Sequence, residues 1–290
     1  MPAATTHNEF SKDLYRSLPS NIKNKITNIH MFNLGNQGPD FFFHDYMGIT
    51  PNSYMKFGEK LHHDKIYEIV MSLYKNCKDD DDLISYFYGY LGHYSLDSLA
   101  HQLVYYDVDV LLNSDKNTEI VNHFKCESVI DIHMLNKQGL KLSDFCVDRD
   151  IKLNKVESKK IGDLYKIVLK EVFELEVNAK QISDSARRMS LFMSWLKPNS
   201  KLKFQLVKLI ETIFNRKHYI SSLALYNHLE IDVLNEDKKT FYNIKNDKVT
   251  SNLSFDELYN RAINDCIKRF KDITNEEYYQ LDFNGNSVLV

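Results

Sequence analysis

The sequence predicts an all-α protein built as a multi-helix bundle. Apolar residues recur at helical spacing in one segment after another, and strand signals are sparse. The 290 residues contain only 9 Gly and 5 Pro, too few for a loop-rich β architecture or a disordered chain. With 43% hydrophobic residues the chain can bury a sizeable core.

Taken in order, Ile66, Ile69, Val70 and Leu73 share one face of a core helix. Asp79 to Asp82 reads as a solvated turn heading the next helix, where negative charge favours the helix dipole. A divalent-ion site is the alternative for that run. The helix that follows is expected from Leu83 to Tyr105, and another from Asn117 to Met134. Leu164, Ile167, Val168, Val172 and Leu175 make 161–175 amphipathic. The segment 183–196 holds the single Trp, Trp195, and stops before Pro198. Segment 202–214 is apolar at Phe204, Val207, Leu209 and Ile210. Ser254 and Glu257 form an S-x-x-E capping box opening a helix that reaches Ile273. Residues 33–57 read as a long irregular segment. No internal repeat or low-complexity linker interrupts the chain, so 1–290 is expected to form a single helical domain.

Several classes are disfavoured. A net charge of −3 gives no basic excess of the kind a duplex-binding surface shows, so no duplex nucleic acid is expected as a partner. No signal peptide and no run of 18 apolar residues is visible, so no integral membrane segment is expected. Cys77, Cys126, Cys146 and Cys266 lack C-x-x-C spacing and read as free thiols. Together these predict a cytoplasmic protein.

The histidines are distributed unevenly. Nine of eleven fall between His7 and His133. The candidate chemistry therefore lies in about 1–145, and 146–290 reads as helical scaffold. His93, Asp97 and His101 recur at steps of four, which precess about 40° per step and line one helix face. Imidazole and carboxylate on one face suit a divalent transition metal such as zinc. His123 and Glu127 repeat the step, and Asp131 continues it. Each pair alone also fits an ordinary i, i+4 contact. Two such rows on two helices are what a multinuclear site in a helical bundle requires. His7 near the start, Asp40 after the turn Gly35–Gly38–Pro39, and the adjacent His62 and His63 extend the set. A carboxylate on a rigid turn can ligate a metal or take a proton from its water. Of His62 and His63, about 100° apart on a helix, one is expected to face the site.

The ordered motifs "ATTHNEF", "LGNQGPDFFF", "LHHDK", "GYLGHYSLDSLAHQLVYY" and "NHFKCES" resemble the zinc-dependent phospholipase C family, in particular its short bacterial members. Fungal-type single-strand nucleases share that fold and metal plan. The resemblance covers roughly residues 2–131 and implies two or three zinc ions in a cleft between helices. It implies Asp40, His62, His93 and Asp97 on one zinc, and His101, His123 and Glu127 on a second, more open one. His7 and the bridging Asp97 would hold a third. It further implies hydrolysis of a phospholipid or another phosphodiester by zinc-bound hydroxide, with Asp40 as base or water-orienting ligand. The secreted relatives complete the third zinc with a processed N-terminal tryptophan. This chain has none, and Pro2 is the substitute amine its sequence offers. Their C-terminal β-sandwich is not expected either, because the stretch from Ser254 reads as helix.

The alternatives are a single-strand nuclease of the same fold, an HD-type phosphohydrolase using His63–Asp64 with His44 and Asp97, and a non-catalytic zinc-binding helical protein. Phe41, Phe42, Phe43, Tyr46 and Tyr54 flank Asp40 and belong either to the cleft mouth or to the core.

Overall fold

A computed structural model describes residues 4–45, 53–114, 116–198, 200–214, 218–225 and 228–288, apart from the side chains of residues 247 and 248. The helices are α1 (Ala4–Ser17), α2 (Ser20–Lys23), α3 (Ile29–Gly35), α4 (Met55–His63), α5 (Ile66–Cys77), α6 (Asp81–Leu112) and α7 (Glu119–Lys137). They continue as α8 (Val147–Asp150), α9 (Lys155–Phe173), α10 (Ala179–Leu196), α11 (Lys201–Ile213), α12 (Tyr219–Ser222) and α13 (Phe255–Lys271). One antiparallel hairpin pairs β1 (Phe241–Asn243) with β2 (Asn246–Ser251). The fold is all-α, as the periodicity predicts.

The long helix α6 organises the molecule. Every residue from Ile84 to Ser98 is buried, so this stretch has no solvent face and no amphipathic stripe. Helices α3, α13, α7 and α5 pack around it. The closest approach is to α3: a Cβ at Gly89 would stand 2.1 Å from the Phe32 carbonyl oxygen. The aspartate run heads α6 as expected. Asp80 is the N-cap, accepting from the Asp82 and Leu83 amides at 3.0 Å each, and Lys160 closes on it at 2.7 Å. Asp82 also meets Lys160, at 2.8 Å.

Most helix starts follow local chemistry. Asn154 and Glu157 form a capping box on α9, and Ser254 and Glu257 form the expected one on α13. The segment read as irregular is more ordered than its sequence suggests. Asp40–His44 is a 3-10 helix, and α4 starts at Met55. The consecutive aromatics Phe41, Phe42 and Phe43 have no helical period, yet Phe41 and Phe42 are fully buried. They are core, packed on Tyr165. Tyr54 is half-buried and its hydroxyl accepts from the Asn178 amide. Tyr46 lies outside the described residues, as does Pro2.

Candidate metal centre

Five elements bring the predicted side chains to one cleft of about 790 Å³. Helix α1 supplies His7, the 3-10 helix Asp40, α4 His62, α6 His93, Asp97 and His101, and α7 His123 and Glu127. Three groups result, each with its donor atoms within 4.8 Å of one another: Asp40, His62 and His93; His7, His93 and Asp97; His101, His123 and Glu127. The expected four-residue set therefore divides, with His93 common to two groups. Asp97 sits between them, 2.9 Å from His7 Nε2, 3.2 Å from His93 Nε2 and 3.8 Å from His101 Nδ1.

The hydrogen bonds of the imidazoles decide what the groups fit. His62 Nδ1 lies 2.7 Å from the Gly58 carbonyl, His101 Nδ1 2.8 Å from that of Phe283, and His93 Nδ1 3.2 Å from that of Asn36. A carbonyl accepts only, so each Nδ1 carries the hydrogen and each Nε2 of a neutral ring is a bare lone pair. Those lone pairs face carboxylates: His62 Nε2 is 3.0 Å from Asp40, His101 Nε2 3.2 Å from Glu127, and His93 Nε2 3.2 Å from Asp97. Two acceptors at such distances repel unless a proton or a metal ion lies between them. His93 Nε2 is buried without a hydrogen-bond partner. Backbone-tied Nδ1 with free Nε2 is the arrangement of metal-ligating histidines. The donor set, imidazole nitrogen and carboxylate oxygen, fits zinc.

Burial and charge act together here. Burial, with His7 and His62 adding, pushes His93 down to about 3 against the pull of Asp97 and Asp40, so its ring is neutral. Burial would raise Asp40, but His93 and His62 outweigh it and hold the carboxyl at about 2. Asp97 is lowered too, by His93, His101 and His7 against its burial. Against burial, Asp97 and Glu127 raise His101 to about 9, so its ring is protonated near neutral pH until a metal ion displaces that proton.

Several residues that hold the site carry no ligand-type signal in the sequence. Gly38 has φ of +56°, and a Cβ there would stand 2.0 Å from the His93 ring. Buried Asp45 accepts from Arg188, Gln181 and the Tyr54 amide, which pins the Asp40 turn onto α10. Asp131, expected to extend the α7 row, instead caps α1. It accepts from the Thr6 amide at 2.7 Å, the Thr6 hydroxyl at 2.6 Å and the Thr5 amide at 3.3 Å, and so orients His7. The segment 281–288 also reaches the site. The Phe283 carbonyl accepts from His101, its amide donates to the His62 carbonyl, and Asn284 lines the cleft.

The HD pairing is not assembled. Asp64 points to solvent on Lys60 at 2.6 Å, and His63 meets Asp282 at 3.1 Å. His62, not its neighbour, faces Asp40. His30, His133, His218 and His228 do not line the cleft.

The model of the zinc dependent phospholipase C family matches residues 6–179, more than half of the chain and the stretch that contains every residue of the three groups. His7, the first of them, is the second residue matched. The chain belongs to the zinc-dependent phospholipase C family. No curated protein and no solved structure matches it. No helix among the described residues is long and apolar enough to cross a membrane.

Proposed function

We propose that the protein is a zinc-dependent phosphodiester hydrolase of phospholipase C type. The observation that carries the reading is the row of histidine Nε2 atoms facing carboxylates at 3.0–3.2 Å on the floor of an open cleft. His7, Asp40, His62, His93, Asp97, His101, His123 and Glu127 would be the ligands. A ring nitrogen holds one ion, and His93 offers only Nε2, so one of the two groups that share it is left with fewer donors. Two firm zinc sites and a weaker third follow.

Bound zinc supplies charge for the developing phosphorane oxygens and lowers the pKa of a water toward 7. The chain's own groups do the rest. Asp40, ionised and held by His62, is placed to orient the attacking water and is better suited to that than to storing a proton. Glu127 and Asp97 fix the imidazoles. The His101, His123, Glu127 group has three side chains and borders the cleft, which leaves a position open to substrate.

The upper cleft favours lipid. Phe43, Met55, Phe192, Leu196, Ile220 and Leu223 line it, enough apolar surface for the first acyl carbons of a diacylglycerol. Glu59 and Glu119 at the mouth suit a cationic headgroup. The test is hydrolysis of a short-chain lecithin by the zinc-loaded protein, with a single-stranded oligonucleotide as the competing substrate. Phosphocholine release that chelator abolishes and zinc restores supports the reading. Cleavage of the oligonucleotide alone transfers the protein to the nuclease branch, and zinc retention with neither activity makes it a binding protein.

A further inference from the structure

Helix α11 turns its apolar face outward. Leu202, Leu206, Leu209, Ile210, Ile213 and the following Phe214 are exposed, Ile213 by 69% and Phe214 by 70%. Their spacing of i, i+4, i+7, i+8 and i+11 makes one continuous stripe. The helix rests on the molecule through Phe204 and Glu211. Glu211, its one acidic residue, is buried and accepts from the Ile220 and Ser221 amides at 2.8 and 3.1 Å. The outward charges of α11 are therefore all positive. Lys201 and Lys208 flank the stripe and, with Lys125 and His218, line a shallow groove of about 370 Å³.

The rim of the metal cleft adjoins α11 at the buried Phe204, beside the stripe. Trp195, 42% exposed, stacks at 5.9 Å on Phe192, which lines the cleft, and meets Phe204 of α11 edge-on at 6.2 Å. Tyr219 and Ile120, both exposed, belong to the same rim.

We propose that α11 and the Trp195 rim dock this protein on the surface of an anionic phospholipid bilayer, with the mouth of the metal cleft set against the lipid. An outward apolar stripe with a lysine flank is the construction of a helix that lies in the membrane interface. The lysines face the anionic headgroups, and a chain of net charge −3 gains that attraction only locally. The docking rests on the lipid substrate argued above, since it explains how a cleft reaches a phospholipid without extracting it into water.

The experiment uses the full zinc-loaded chain with vesicles of phosphatidylcholine, alone or mixed equally with phosphatidylglycerol. Trp195, the single tryptophan, is the reporter. Expected are co-sedimentation and a blue-shifted emission on the mixed vesicles, weakened by salt. The double variant Leu206→Glu, Ile213→Glu changes only exposed positions. It should keep its circular dichroism, zinc content and hydrolysis of monomeric short-chain lecithin, and bind mixed vesicles more than about tenfold more weakly. Vesicle binding by the variant equal to wild type would overturn the docking, as would no vesicle binding by wild type. A wild-type dimer that the variant abolishes, with no vesicle binding, assigns the face to a second copy and overturns it too. Docking without phosphodiester hydrolysis leaves this inference standing and removes the lipase. Hydrolysis of the soluble lipid without docking does the reverse.

Discussion

At the scale of single residues, the site is held by groups that bind no metal themselves. Asp131 is buried at the head of α1, where burial pushes its carboxyl up to about 7 against the pull of the Thr6 bonds. Asp131→Ala would leave two buried amides and a hydroxyl without their acceptor. The expected cost is about 1–3 kcal/mol in urea unfolding, with a loss of zinc from the His7 group. Asp131→Asn keeps an acceptor and should fall between. Gly38→Ala meets two obstacles, φ of +56° and a Cβ 2.0 Å from His93. Its expected result is a folded protein with displaced His93 and reduced zinc, measured by mass spectrometry. The ligand-type residues themselves are legible in the sequence: His93, Asp97 and His101, and His123 and Glu127, follow the 3.6-residue period that sets them on two helix faces. What orients them is not. Asn36, Gly58 and Phe283 act through main-chain carbonyls, which have no residue signature, and Asp45 finds Arg188 across 143 positions.

At the scale of elements, amphipathic helices are readable and special ones are not. Helices α9, α10, α11 and α13 begin within six residues of their expected starts, because a periodic apolar face and a cap fix each one. Helix α6 runs on to Leu112, past the expected Tyr105, with Asp107, Val108 and Leu111 on its buried side. The 3-10 helix at Asp40 is set by packing of Phe41 and Phe42, and the β1–β2 hairpin is too short and polar to announce itself. The C-terminal segment carries the sharpest prediction at this scale. Removing residues 281–290 takes away the Phe283 carbonyl from His101 and Asp282 from His63. The shortened protein should unfold at a lower temperature and hold less zinc at the His101, His123, Glu127 group.

At the scale of the whole molecule, the distribution of buried charge predicts a pH dependence outside the metal centre. Asp107 on α6 is buried, its Oδ2 has no hydrogen-bond partner, and burial together with Asp232 raises its carboxyl to about 8. An unfolded aspartate titrates near about 3.9. The folded chain therefore binds the extra proton between those values, and Asp107 makes the protein less stable as pH rises from about 4 to 8, with no further loss above. Asp107→Asn should remove that slope. The variant's advantage in urea unfolding grows with pH and levels off near about 8. An advantage independent of pH would contradict the assignment.

The central claim is that the buried imidazoles and carboxylates are a zinc centre, and the most direct test is the zinc content of the purified chain, wild type beside Asp97→Ala. Asp97 touches His7, His93 and His101. The account predicts about two to three zinc ions per chain, falling to about one in a variant that keeps its helical circular dichroism. Zinc at one ion per chain or fewer, unchanged by the substitution, would contradict it and leave the histidine rows as buried ion pairs.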